Sequence, residues 1–353
     1  MKRLAIGIAL GLVAAPFTGC DKGEEKKEEA SGEKGKEGKE GGEKGGEDGG
    51  EKAAAGATVT DAMKYIPDGA NLLIGVDAAK VAGSDLMKEN ADMLKQGDAG
   101  EMMDAADACK VGMGSWKYML VGGNTEEKEA VVAVMSATSV GTKGTLECIG
   151  KKFKEKKPDE KFEITEEDGH TVVITGDDPA KDMKLYAISD DVVAVVGAGS
   201  LEAFKGLLGG SGKSAAEGSL KDVLGSVDQS KHIYFGMIAT ADMQNGPTAG
   251  LKHVTGSVDL SEGLALAAAG EFGDEAKATE VAKMGNDQFA QMKGMAGMFG
   301  IPQTVVDSVK IEAKGGAVTA SAKASKDDLK KIADSAKQQM GGAPGGAPPA
   351  APE

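Results

Sequence analysis

Seventeen methionines stand among 353 residues, and four of them, Met284, Met292, Met295 and Met298, fall in the run "MGNDQFAQMKGMAGMFG". Thioethers are soft ligands that suit cuprous copper. Methionine is equally a pliant core filler in a chain whose aromatic content is only 4%. Helical spacing puts Met292, and in part Met295, on the buried face of a helix, so the filler reading is preferred. The histidines His170, His232 and His253 lie in separate hairpin regions and lack two-histidine metal spacing, so each reads as a strand-edge or turn residue. "GLLGGSGKSAAEG" ends in Gly212-Lys213-Ser214, as a phosphate-binding loop does. Leu207 occupies the position that needs glycine, and a helical face stands where a strand should precede, so the stretch reads as a flexible connector. No Gly-x-Ser-x-Gly elbow occurs, and "DAADACK" and "TGDDPAKD" gather carboxylates without calcium-loop spacing. No catalytic residue, metal site or cofactor is assigned on these patterns.

The chain opens on Met1-Lys2-Arg3 and then "LAIGIALGLVAAPFTG", a basic start followed by an apolar run too short to span a bilayer comfortably. That order is the form of a secretory signal over residues 1–19. Phe17-Thr18-Gly19-Cys20 resembles the lipobox of bacterial lipoproteins, with Phe17 where leucine is usual. The resemblance implies cleavage before Cys20, a diacylglycerol thioether on its sulfur, and a location in the bacterial cell envelope. The domain would then sit in the periplasm or on the surface, anchored to an inner or outer membrane. Asp21 resembles the signal that retains enteric lipoproteins in the inner membrane, a rule that differs between bacteria, so the leaflet stays open. With Cys20 consumed by lipid in an oxidising compartment, Cys109 and Cys148 are left as an even pair, and a disulfide between them is expected. Two separate buried thiols are the alternative. The pair lacks the Cys-x-x-Cys spacing of a redox-active site.

Residues 20–57 are built from Gly, Glu and Lys with almost nothing to bury, and read as a disordered tether. A glycine-rich coil of this length reaches roughly 30 to 35 Å root-mean-square. Residues 338–353, "GAPGGAPPAAPE" and what precedes it, read as a disordered tail. Between them lie two α+β halves, 58–213 and 214–337. In the first, "ANLLIGVDA", "KYMLVGG" and "AVVAVMSAT" read as strands, and Ser84 caps a helix carrying Leu86, Leu94, Met102, Met103 and Cys109. Leu146, Ile149 and Phe153 share a helical face, and hairpins bend at Asp168-Gly169 and Asp190-Asp191. In the second half, Ser219 with Asp222 opens a short helix before the strand "KHIYFGMIAT". A hairpin follows, then a long helix from Asp274 that Pro302 ends, a hairpin through Gly315-Gly316, and a last helix opened by Ser325 with Asp328. "IPDGANLLIGVD" and "VDQSKHIYFGMI" align with Gly75 opposite Gly236, which suggests an internal duplication. The expected class is α+β, antiparallel sheets built from hairpins with helices packed on one face.

"YIPDGANLLIGVDAAKVAGSDLMKE" is similar to the opening of several uncharacterised bacterial envelope families, which carry no activity to transfer. A net charge of -15 argues against nucleic acid as a partner, since phosphate binding needs a basic face. Two function classes remain. The first is a membrane-anchored, non-catalytic binding or scaffold module for an apolar ligand or an envelope protein, held in a groove between sheet and helices. The second is an envelope enzyme whose site is assembled from scattered acidic and Ser residues.

Overall fold

Alternating apolar residues build the outer strands of the body and continuous apolar runs such as Val192–Val196 the inner ones, and short turns join most of them into hairpins. The computed structural model describes residues 59–89, 104–127, 129–159, 161–175, 183–218 and 220–341. The expected signal segment, Cys20, the tether, the tail beyond 341, Leu94, Met102, Met103 and Ser219 lie outside the described residues.

Seven strands belong to the first half: β1 Leu72–Val76, β2 Trp116–Gly123, β3 Val131–Ala137, β4 Phe162–Glu167, β5 His170–Thr175, β6 Lys184–Ser189 and β7 Val192–Val196. Five belong to the second: β8 Ile233–Ile238, β9 His253–Asp259, β10 Leu264–Glu271, β11 Lys310–Lys314 and β12 Ala317–Ala324. All twelve form one antiparallel sheet in the order β11-β12-β10-β9-β8-β1-β2-β3-β7-β6-β5-β4. The α+β class with antiparallel hairpins therefore holds, and both halves share a single sheet. The β4–β5 turn has positive φ at both Asp168 (51°) and Gly169 (79°), as a primed two-residue turn requires.

The helices are α1 Val59–Ala62, α2 Ala78–Gly83, α3 Asp85–Glu89, α4 Lys143–Lys156, α5 Leu201–Leu208, α6 Lys221–Gly225, α7 Glu275–Lys293, α8 Gln303–Ser308 and α9 Lys326–Gly341. Capping residues legible in the sequence set several of their ends. Asp274 accepts the Lys277 amide at the start of α7, and Ser325 and Asp328 bond each other's amides reciprocally at the start of α9. Ser84 Oγ accepts the Met87 amide. The long helix stops at Lys293, and a 3-10 turn over Ala296–Phe299 leads to Pro302. Gly294 and Gly297 lie in the stretch where the α-helix gives way, and glycine is a weak helix former.

Helices cover both faces of the sheet. On the first face, Leu73, Leu120, Val132, Val134, Ala194 and Tyr186 are buried together with Ile66, Phe204 of α5 and Leu220, Val223 and Leu224 at α6. On the second face, Gly150 of α4 lets that helix approach Phe162 of β4, and Gly285 of α7 lies against Ile311 of β11. Val281 of α7 joins Val254 and Val318 there.

The halves meet where β1 pairs with β8. Leu73 lies opposite Gly236, Ile74 opposite Phe235 and Gly75 opposite Tyr234. The alignment that equates Gly75 with Gly236 also equates Ile74 with Phe235 and Leu73 with Tyr234. Ile74 thus pairs with its own counterpart, and its two neighbouring pairs exchange places, which is the register an internal two-fold axis demands. The rest of the sheet follows the same plan. β1-β2-β3 then α4 then β6-β7 in the first half matches β8-β9-β10 then α7 then β11-β12 in the second, with the β4–β5 hairpin added to the first.

Gly75 makes room at this junction, because a Cβ built on it falls 2.1 Å from Cζ at the hydroxyl end of the Tyr234 ring. Gly69, by contrast, has nothing within 4 Å of such a Cβ. Gly75→Ala is expected to lose about 1–3 kcal/mol of stability through overpacking, and Gly69→Ala to change it by under about 0.5 kcal/mol. Urea unfolding of the two variants checks this, and equal midpoints would contradict the junction as described.

Candidate functional site

The covalent site expected from the sequence is present. Cys109 follows the helical residues 104–108 and is bonded to Cys148 of α4, with Cα atoms 5.7 Å apart. Around it on the second face, Val111, Ala137, Val140 and Val193 are buried, with Trp116 packed against them. The Trp116 indole N–H donates to Val111 O at 3.2 Å, fixing the turn that follows Cys109. Closing this loop contributes about 3 to 4 kcal/mol in the loop-entropy account. The bond ties the segment between β1 and β2 onto α4, so its role here is structural.

The histidines do not converge. His232 is 8% exposed, and its Nδ1 accepts the Leu260 amide at 3.1 Å. Nδ1 of His170 lies 3.3 Å from Ala187 O, and His253 opens β9, half-buried. Lys213 and Ser214 lie in the connector, whose backbone pairs with the start of the body: the Asp68 amide donates to Lys213 O and the Ala215 amide to Ile66 O. The stretch therefore joins the halves along the sheet and does not form a phosphate loop. Among the described residues no group of three or more His, Cys, Asp or Glu is placed to hold a metal ion, and no helix is long and apolar enough to cross a membrane.

Three carboxylates are strongly held. Asp259 at the β9–β10 turn accepts from Ser261 Oγ at 2.6 Å, from Lys231 Nζ at 2.9 Å and from the Ser261 amide at 3.0 Å, and these bonds hold its carboxyl far below the usual range. Asp191 is lowered by Lys117 and by the Ser139 amide. Glu167 accepts from Lys184 Nζ at 2.5 Å and from the Tyr186 hydroxyl at 3.1 Å, and the lysine lowers it most. Burial and then Glu167 push the Tyr186 hydroxyl up. All three brace turns or helix–sheet contacts. Burial likewise raises the Tyr118 hydroxyl, to about 12.

The feature with binding geometry is a surface. Beyond β9, the first face carries Ala265, Ala267 and Ala269 of β10 beside Ser321 and Thr319 of β12, then Lys310 and Glu312 of β11. Ala267, Lys310 and Glu312 are exposed, and Ala265, Ala269, Thr319 and Ser321 are half-buried. Among the described residues, the clusters of buried hydrophobic side chains do not extend onto this part of the sheet. In the first half the equivalent face is filled by Ile66, Phe204 and Leu220, which occupy the space between sheet and helices. A smooth field of small side chains with a charged edge is thus the unfilled counterpart of the first half's core. Its signal was in the sequence: "LALAAAGE" places leucine only on alternate residues, and every intervening residue is alanine until Glu271. Methionine is the other departure. Met292 is 53% and Met295 44% exposed, so neither belongs to the buried face that the helical spacing implied.

Comparison of the chain with protein-family models, with curated proteins and with solved structures finds no match.

A carboxylate whose pKa is lower in the folded than in the unfolded chain stabilises the fold above the unfolded value, near 4, and loses that contribution as pH falls toward the folded value. Asp259, Asp191 and Glu167 all have this sign. Stability should therefore drop steeply between about pH 4 and pH 2. Asp259→Asn should flatten that limb, read by thermal unfolding at each pH, and superimposable limbs would refute the assignment.

Proposed function

We propose that the protein is a membrane-anchored envelope lipoprotein whose body acts as a non-catalytic binding or scaffold module. Three features support this. Phe17-Thr18-Gly19-Cys20 supplies a lipobox-like acylation point, residues 20–57 supply a polar leash, and the body carries an open sheet face. The open face is the observation that carries the reading. Ala265, Ala267, Ala269, Thr319 and Ser321 project little, so a flat partner could come close to the backbone over an area without bulky obstruction. Lys310 and Glu312 at its edge would orient the partner through charge while contributing little affinity of their own. The apolar groove expected between sheet and helices is not the better location, since side chains fill that space in the first half. A partner protein of the envelope fits the open face better than a small apolar ligand, which needs a concave pocket.

The lipid anchor is tested on the protein isolated from the cells that make it. Intact-mass and N-terminal analysis should give a mature chain beginning at Cys20 with a diacylglycerol mass on its sulfur. Cys20→Ser should leave the chain unacylated and shift it out of the detergent phase on phase partitioning. A mature N-terminus elsewhere with an unmodified Cys20 thiol would overturn the anchored reading.

A further inference from the structure

The sheet ends in two edge strands, β11 and β4, and the two are not alike. At β11, Asn286 of α7 donates to Ile311 O at 3.0 Å and occupies an acceptor that an added strand would use. At β4 the pattern of bonds leaves a free row. The two-residue turn Asp168-Gly169 makes Glu167 and His170 a hydrogen-bonded pair, so the bonds to β5 fall on Glu167, Thr165 and Glu163. The backbone N–H and C=O groups of Phe162, Ile164 and Glu166 therefore point away from the sheet. Among the described residues, no backbone group outside the strand pairing bonds to these three.

The side chains of β4 select what can pair there. Lys161 and Glu163 are exposed and lie 3.0 Å apart, Glu166 is exposed, and Glu167 is half-buried. Charge along an edge repels most added strands, yet one two-fold arrangement of β4 against a second β4 satisfies it. With Ile164 opposite Ile164 of the second copy, Phe162 falls opposite Glu166, Glu163 opposite Thr165 and Lys161 opposite Glu167. The whole strand overlaps, outward-pointing residues meet outward-pointing residues, and both ends bring opposite charges together. Other axes do worse. An axis on Glu163 or Glu166 sets that carboxylate against its own copy, and an axis on Thr165 sets Glu163 against Glu167. An axis on Phe162 matches Lys161 with Glu163 but leaves half of the strand unpaired.

The Ile164 register also joins apolar surface on the second face. The rings of Phe162 and Phe153 of α4 have centroids 5.7 Å apart, and Ile164, two residues along the same face, meets its copy at the axis. The internal junction is built on the same plan, since Ile74 of β1 lies opposite Phe235 of β8, its own counterpart.

We propose that β4 is a self-association edge, through which two copies of the chain pair antiparallel about a two-fold axis at Ile164 and join their sheets. About six backbone hydrogen bonds form across the axis. One strand pair covers less than the roughly 1,200 Å² at which standard interfaces begin, so the dimer is weak and forms between micromolar and millimolar concentration. This edge lies at the opposite end of the sheet from the open face, and it depends neither on that face nor on the lipid anchor.

The test uses the full chain carrying Cys20→Ser, so that introduced cysteines are the free thiols. Sedimentation equilibrium should show a monomer–dimer transition as concentration rises. Over the same range, the Phe162, Ile164 and Glu166 amides should gain at least fivefold protection from hydrogen exchange, while the Glu163, Thr165 and Glu167 amides, already bonded to β5, change less. Chains with Glu163→Cys mixed with chains with Thr165→Cys should form a disulfide-linked dimer at least tenfold faster than either alone, because that mixed pair is the one placed opposite. Lys161→Glu should weaken association at least threefold with an unchanged circular dichroism spectrum, and Lys314→Glu, on the other edge strand, should leave it intact. A chain that stays monomeric to millimolar concentration overturns the proposal, whether β4 then serves another protein or none. So does a dimer in which the outward amides gain no protection, in which the mixed cysteine pair has no advantage, or in which the two lysine variants behave alike.

Discussion

The pairing of β1 with β8 is the constraint on which the rest of the body depends. It turns two half-sheets into one of twelve strands, and it works because Gly75 surrenders its side-chain volume to the ring of Tyr234. Two weights decide the matter: a buried tyrosine ring removes a large apolar area from water, whereas glycine in a strand costs only about 0.5–1 kcal/mol relative to alanine. The ring's hydroxyl has no hydrogen-bond partner among the described residues, which offsets part of the gain. Burial pushes that hydroxyl up, consistent with its dry position. Around the ring, Leu73, Leu120, Val223 and Leu224 bring residues of both halves into one core.

Because the junction obeys an internal two-fold register, the differences between the halves become informative. The first half inserts the β4–β5 hairpin, buries its face under α5, and ties the segment after β1 to α4 through Cys109 and Cys148. The second half joins β8 to β9 through residues 239–252, which carry two 3-10 turns, and leaves the matching face in alanine, serine and threonine. The two halves thus fill the same face differently, the first with large side chains and the second with small ones. The edge strand β11 is guarded as well: Asn286 of α7 donates to Ile311 O at 3.0 Å, occupying an acceptor that an added strand would need.

Much of the fold was legible in the sequence where local chemistry decides it. The Asp168-Gly169 and Gly315-Gly316 turns, the caps at Asp274 and Ser325, and the strand alternation each act within a few residues, so short-range reading captures them. The Gly75 and Gly236 match pointed to matching halves, although not that the two would share a sheet, since strand order rests on contacts between residues far apart in sequence. Met292 and Met295 were misjudged for a related reason. Helical periodicity reports which residues share a side, but only the ending of α7 at Lys293 and its position over the sheet determine which side meets water. The Cys109–Cys148 bond was anticipated from an even cysteine count. The open face was overlooked because alanine reads equally as core or surface until its neighbours are known.

The central claim is that both halves form one cooperative structure through β1 and β8. Trp116, the chain's single tryptophan, reports the first half by fluorescence, and hydrogen exchange at β10 and β12 amides reports the second. Followed together through urea unfolding, the two signals should change at one common midpoint. Two separated midpoints, with the β10 and β12 amides losing protection while Trp116 keeps its native emission, would contradict a sheet that is continuous across the junction.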